Sequence, residues 1–514
     1  MHSKTFLHAL AGVGLITLTL SLLSATPAHA AGVVGNGTPA SCTEAAFDAA
    51  RLGGGAVTFN CGPNPIIITL SAVKQISANT SVDGAGLITL TGSNAGVYIQ
   101  VFSDQALTLT HLSLTGFSYN QGGVVQNFGR LNLINATLVN NQNSNQGGTV
   151  YNVGVLNVVG SRFVNNKAVN EGGALYNSGG TMNVQDSTFT GNTVTGATGT
   201  GGAISNDSGV ITITGSSFSG NSALDGGAVS INPGAIGIVN SSQFLSNTAG
   251  FGGGLENRGT LTVTGSLISQ NQATGGDGGG LWNLNGKLVV RSSTVSNNKA
   301  NSTGGGISNY GSSLVLDKST ISGNTSVGNG GGIYSNAAMN LTNVTVSGNQ
   351  VTSIGAGGGG VYQNSGSASL HHVTLVSNTA AFGRALYKDG SAGGGLFLQS
   401  SIVSVNGGPA TVACDGQISS LGYNISDGNC SMLTQTGDAQ MTALNLGPLA
   451  NNGGDTFTHL PALSSPAVDR VALANCLITD QRDATRPLGP LCDSGAVEVG
   501  GLLPTAYLPA ALRQ

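Results

Sequence analysis

The sequence predicts an all-β chain wound into a parallel β-helix, and three observations carry that reading. A GG-led block recurs from Gly122 to Gly358, at 25 or 26 residues in seven of nine steps and at 28 or 29 in the others. Each copy is followed by an alternating apolar stretch and then an apolar residue with Asn three positions later, as in LNVVGSRFVNN from Leu156 to Asn166. Composition agrees, because 83 of 514 residues are Gly and only 7% carry charge. Long amphipathic helices need charged outer faces that such a chain cannot supply. Alternating β-branched residues between Gly-Gly and Gly-Asn pairs form a strand-and-turn pattern instead. Each unit holds two or three short strands and cannot bury its apolar face alone, but stacked copies can.

The same numbers exclude other classes. A hydrophobic content of 39% with net charge −4 is wrong for disorder, and 13 prolines without a Gly-X-Y period are wrong for collagen. The 17 Lys and Arg are dispersed, so no basic stripe exists and nucleic acid is not an expected partner.

Residues 1–30 read as an export signal. Lys4 precedes an apolar run from Leu10 to Leu23, and Ala28-His29-Ala30 has the form of a cleavage site. No later run is long and apolar enough for a transmembrane span. Residues 31–111 are expected to form an N-terminal cap and the first coils. In SCTEAAFDAARL (Ser41 to Leu52), Ser41 and Glu44 suit a capping box and Gly53 a stop, giving a short helix that plugs the open first coil. The six cysteines fall into close pairs, Cys42/Cys61, Cys414/Cys430 and Cys476/Cys492. The wide gaps between pairs favour bridging in that order, in an oxidising compartment.

Residues 112–395 are the repeat body. One column contains Asn141, Asn166, Asn192, Asn221, Asn247, Asn271, Asn298, Asn324, Asn349 and Asn378. A second contains Asn127, Asn152, Asn177, Asn206, Asn257, Asn283 and Asn309. Stacked Asn can pass amide hydrogen bonds along the axis, and Asn tolerates left-handed corners.

GGAL at Gly172, GGAI at Gly201 and GGAV at Gly226 alternate with FVNN at Phe163, FTGN at Phe189, FSGN at Phe218 and FLSN at Phe244. Together these resemble the polymorphic outer-membrane protein repeats over roughly residues 120–390. The resemblance implies a right-handed, single-stranded β-helix of the pectate-lyase-like superfamily, displayed at or beyond the cell surface. No C-terminal run of alternating strands suited to an outer-membrane barrel is recognised.

Residues 396–499 are expected to be a small C-terminal cap. SLGYNISDGNC at Ser420, LANNGGDTFTH at Leu449, SSPAVD at Ser464, DQRDATRP at Asp480 and CDSGAVE at Cys492 follow in order. They resemble the choice-of-anchor Q domain, which implies a surface destination. Asp483 stands where that family has Gly, and Val497 where it has an aromatic. Arg482 and Arg486 among Asp480, Asp493 and Glu498 read as ion pairs holding the cap together, against a calcium site. The tail, 500–514, offers no credible sortase signal in its LPTA at Leu503.

Chemistry on the rod finds little support. Glu171, Asp225 and Asp277 share a column on alternate coils, without a neighbouring His or Arg. His371 and His372 are expected on opposite faces of a strand, unable to share a metal. GGDGGG at Gly275 opens no helix and recurs with every coil, so it is no phosphate loop. Neither a cofactor nor a metal is expected. One column after the GG-block aliphatic holds Tyr151, Tyr176, Trp282, Tyr334, Tyr362 and Tyr387. Alternation turns these rings outward, as an interrupted strip for a polysaccharide or a cell-surface protein partner. The expected function is therefore a secreted or surface-bound, non-catalytic, adhesin-like rod. The alternative is a polysaccharide lyase or glycoside hydrolase.

Overall fold

The computed structural model describes residues 32–93, 96–391, 393–406, 410–440 and 443–500. The expected export signal and nearly all of the tail, including its LPTA, lie outside the described residues. The chain is a parallel β-solenoid of about 15 turns with a single α-helix among the described residues.

A coil of the repeat body carries four short strands, more than the two or three expected. In the coil opening at Gly252 they are Leu255–Asn257, Thr260–Thr264, Leu267–Ser269 and Gln272–Ala273. The first three join a 42-stranded sheet around the rod, and the fourth a separate 10-stranded sheet. Leu255 pairs with Leu281, Leu281 with Ile307, and Ile307 with Ile333, so each residue sits over its equivalent one coil on. Alternation sends Leu261, Val263 and Ile268 into the core and leaves Thr260, Thr262 and Thr264 outside. The Phe of the FxxN block points inward as well. Phe163, Phe189, Phe218 and Phe244 form a fully buried stack, with centroids 4.6, 4.7 and 4.8 Å apart.

The first Asn column is a buried ladder. Asn221 Nδ2 donates to Asn247 Oδ1 at 2.9 Å and to the Phe189 carbonyl at 3.0 Å, and its backbone N–H reaches Asn247 Oδ1 at 3.0 Å. Asn221 Oδ1 in turn accepts two bonds from Asn192. The left-handed corner lies one residue earlier than the ladder, at Asn165, Gly191, Gly220 and Asn297 among others. The second column links Asn127 through Asn206 by 2.7 Å amide bonds, breaks at Ile231, and resumes from Asn257 to Asn309. In the GG block the two glycines do different work. Gly201 has φ 66°, and a Cβ on Gly202 would collide with the Gly227 carbonyl one coil on.

At the N-terminal end, helix α1 (Glu44–Arg51) packs on the first strands and buries Phe47. Its N-cap is Thr43, whose Oγ1 accepts from the Ala46 N–H, rather than Ser41. Glu44 reaches across to the next turn of chain instead, taking bonds from Ser71 and from the buried Lys74. Burial works to raise the Glu44 carboxyl, but those bonds outweigh it and hold it at about 2. All three disulfides form in sequence order, Cys42–Cys61, Cys414–Cys430 and Cys476–Cys492.

The C-terminal region departs from the expected boundary at residue 396. Coil strands continue through Leu396–Gln399, Ile402–Ser404, Ile418–Ser420 and Ala439–Gln440, all paired in register. The repeat motif fades there: Val403 and Ser426 take the place of the FxxN aromatic, and Cys414, over Leu386, is not preceded by a Gly pair. From Leu444 onward the chain turns back along the flank of the rod instead of capping its end. Its antiparallel hairpin (Leu446–Ala450, Thr458–Pro461) and the loops to Val499 form a flanking module.

Ion pairs organise that module. Arg482 pairs with Asp480 at 2.8 Å and Arg486 with Glu498 at 3.1 Å, both almost fully buried. Asp483 has φ 67°, in the left-handed region that favours glycine, and its carboxylate pairs with Lys318 on the rod. Contact with the rod is mainly polar. Thr320 Oγ1 donates to the Phe457 carbonyl at 2.6 Å, Thr345 Oγ1 to Gln481 Oε1 at 2.7 Å, and the Ala496 N–H to Thr374 Oγ1 at 2.8 Å. A small apolar cluster of Ile402, Ile425, Leu444 and Ala467 completes the seam.

Three histidines sit in this seam. His459 bridges Ser347 Oγ (2.8 Å) and the Gly447 carbonyl (2.7 Å), and His372 lies 3.2 Å from both the Gly495 and Asn475 carbonyls. The expectation that His371 and His372 face apart is corrected here. His372 has φ 52°, alternation fails, and the two rings lie 4.8 Å apart against the module. Burial lowers the pKa of all three, and the Arg486 charge adds to this at His371 and His372.

Docking therefore keeps these histidines neutral, His371 and His372 on the rod and His459 on the module, whereas once the module is released they bind protons near the ordinary 6.5. Docking is fully stable above that pH and weakens as pH falls through it. Protection of residues 446–498 against hydrogen exchange, taken relative to the intrinsic exchange rate at each pH, should fall between pH 7.5 and pH 5 while the ladder strands stay protected. Equal protection at both values would contradict this.

Candidate functional site

The aromatic column lies outside the internal core, as alternation demands, but it is not an exposed strip. Tyr176, Trp282, Tyr334 and Tyr362 retain only 5 to 9% of their surface, and Tyr151 and Tyr387 are half-buried. Side-chain columns on the adjoining turns rise on both sides and make the rings the floor of a furrow. One wall carries Glu171, Thr200, Asp225 and Phe251 in successive register. The other carries Asp207, Asn232 and Arg258, two residues beyond the ring position.

The rings also cover one another. Tyr334 and Tyr362 are 5.6 Å apart, Tyr362 and Tyr387 4.8 Å, and Tyr151 and Tyr176 5.4 Å. Phe251, from the wall column, stacks on Trp282 at 4.7 Å. One-coil spacing brings ring faces together, so faces that would hold a sugar meet neighbouring rings. Burial raises the phenol pKa of Tyr176, Tyr334 and Tyr362, the last to about 12.

Between Tyr176 and Trp282 the ring column is interrupted by Ser205, Ser230 and Glu256, all fully buried. A polar cluster fills this gap. Asn232 Nδ2 lies 3.4 Å from both Glu171 Oε1 and Asp207 Oδ1, so one amide spans two carboxylates. Ser230 Oγ donates to Glu256 Oε2 at 2.7 Å. Arg258 pairs with Glu256 through Nε and with Asp225 Oδ2 at 2.7 Å, and lies over the Trp282 ring at 5.7 Å. Burial pushes up the Glu171, Asp225 and Glu256 carboxyls. Asp207 adds to the rise at Glu171, Arg258 opposes it at Asp225, and Glu256 reaches about 7.

This corrects the expectation that no base neighbours the acid column. Glu171 and Asp225 do share it, and Arg258 approaches from the opposite wall. Asp277 stays apart, accepting from the Thr303 N–H and hydroxyl at 2.8 Å each. Asp207, Asn232, Glu256 and Arg258 were not singled out from sequence. Their signal was a break in pattern: Glu256 stands where neighbouring coils have a ring or a serine.

Two stretches of the chain, residues 186–207 and 318–336, match the Chlamydia polymorphic membrane protein repeat. The first begins just before FTGN at Phe189 and the second just before ISGN at Ile321, and each ends just after the next GG block, so the match spans the ladder Asn and the coil corner. No curated protein and no solved structure matches the chain. The repeat match and the solenoid fit a surface-displayed repeat protein. No helix among the described residues is long and apolar enough to cross a membrane.

Burial of the rings changes what their removal should do. Tyr334→Ala together with Tyr362→Ala opens a cavity between stacked neighbours and should cost at least about 3 kcal/mol of stability. Chemical denaturation measures it, and an unchanged midpoint would restore the exposed-strip picture.

Proposed function

We propose that the protein is a secreted, surface-displayed, non-catalytic rod that holds a carbohydrate or protein partner. The observation that carries this reading is the in-phase recurrence of the GG and FxxN blocks, matched by a surface-protein repeat and stacked here into a continuous rod. A solenoid of this kind extends by adding coils, each resting on the one below, and so projects its flank away from an attachment point. The export signal and the five C-terminal motifs support delivery to the surface. The Arg258 pairs support a structural role for the buried acids, because a charge this deep is retained where it is paired.

A second reading, a polysaccharide lyase or glycoside hydrolase, draws on the ring gap. Two carboxylates, Glu171 with its pKa raised by burial and Asp207, bridged by one amide in a furrow, are also the material of acid–base catalysis. The two readings separate in one assay, in which purified protein is applied to a glycan array and released reducing ends are measured alongside retention. Retention without release is expected, unchanged by Glu171→Gln with Asp207→Asn. Release abolished by that double variant would establish the enzyme instead.

A further inference from the structure

We infer that the groove between the rod and the C-terminal hairpin is a binding site for a short, uncharged oligosaccharide. The proposal rests on the display reading and assigns it a ligand class. The groove has a volume of about 540 Å³, within the range of small-ligand sites. The rod supplies its hydroxyl-bearing wall with Ser269, Thr294, Ser296 and Ser322, and the hairpin supplies Leu449 and Phe457. These residues lie on the FxxN face, on different strands of the coil from the ring furrow, although Ser269 shares its coil with Glu256.

The rod wall is a continuation of the row that docks the module. Thr320, Thr345 and Thr374 occupy equivalent positions on successive coils, and each already makes a hydrogen bond to the module through its hydroxyl. Thr294 is the next member of that row, on the coil where the module stops. Ser296 and Ser269 repeat the pattern two residues along their strands, with Ser296 Oγ donating to Ser269 Oγ at 3.2 Å. Hydroxyls therefore recur across the wall at the strand spacing of about 4.8 Å. Such a lattice can donate to and accept from a ligand that itself carries hydroxyls at intervals of a few ångströms.

The opposite wall provides what a sugar needs besides hydrogen bonds. Phe457 is only half-buried and borders the groove, and among the described residues it has no stacked aromatic neighbour, unlike the rings of the furrow. A ring face and a leucine suit the apolar C–H surface of a pyranose. Charge sets the class, because no Asp, Glu, Lys, Arg or His lines the groove. A uronate or sulfated chain would find no cation there. An extended peptide is disfavoured for a different reason. The Thr294–Ser296 strand is paired on both sides, with Leu267–Ser269 and with Thr320–Ser322, so the rod wall offers it no open backbone edge.

The test uses the full mature chain and calorimetry with cellotriose, mannotriose, galactotriose, trigalacturonate and an uncharged extended peptide. At least one neutral trisaccharide should bind, and trigalacturonate and the peptide should not. Thr294→Val with Ser296→Ala removes two hydroxyls at little change in volume, and Phe457→Leu removes the ring face while keeping the wall apolar. Each variant should weaken binding about tenfold, with the unfolding midpoint of the hydroxyl pair unchanged. Failure of every neutral trisaccharide, preference for the uronate or the peptide, or full affinity in both variants overturns the proposal. Retention of the protein on cell surfaces in any of those cases leaves the display reading standing and removes only this site.

Discussion

Every feature of this rod depends on one constraint: each residue lies directly over its equivalent in the next coil, at the distance of a β-ladder. Whatever a position carries is stacked on copies of itself. A column of Asn becomes a hydrogen-bonded ladder, because an amide is both donor and acceptor and can be satisfied by its own kind. A column of Phe becomes a face-to-face core stack. A column of Gly becomes the corner at which one coil's carbonyl fits under the next coil's backbone. Charge is the one kind of side chain that stacks badly on itself, which accounts for a composition so poor in charged residues.

The repeat made much of this legible before any coordinates. Periodicity gave the solenoid, and the FxxN spacing gave the ladder down to its individual members, because a buried amide column leaves an unbroken trace in the sequence. The cysteine pairs were equally local. Other features depended on packing that spacing does not encode. The tyrosines point away from the core as alternation requires, yet walls contributed by positions five residues before and two after cover them. Thr43 rather than Ser41 caps the first helix because Glu44 is drawn to Lys74, more than two dozen residues on. The boundary near Leu396 was misplaced because coils 396–440 keep the register after losing the motif.

The candidate site was legible only as an exception. Glu256 and Arg258 break the residue pattern of the columns in which they stand, and that is what makes them informative. Where Ser205, Ser230 and Glu256 interrupt the rings, the furrow gains buried carboxylates held by Arg258 and Asn232. The docked module is the other departure from regularity, and it alone gives the FxxN face a concave surface. In a solenoid whose repeated positions are satisfied by their own copies, function is to be sought at the places where the repeat is broken.

The central claim, that like-on-like stacking of buried amides holds the coils in register, is tested most directly at Asn221. Its replacement by Ala would leave the Asn192 amide and the Phe189 carbonyl without their partner in the core. Equilibrium unfolding of Asn221→Ala should show a loss of about 1–3 kcal/mol. Asn157→Ala, which interrupts an Asn row on the outer, half-buried face, should cost less than about 0.5 kcal/mol. Equal losses for the two variants, or an unchanged midpoint for Asn221→Ala, would contradict the account.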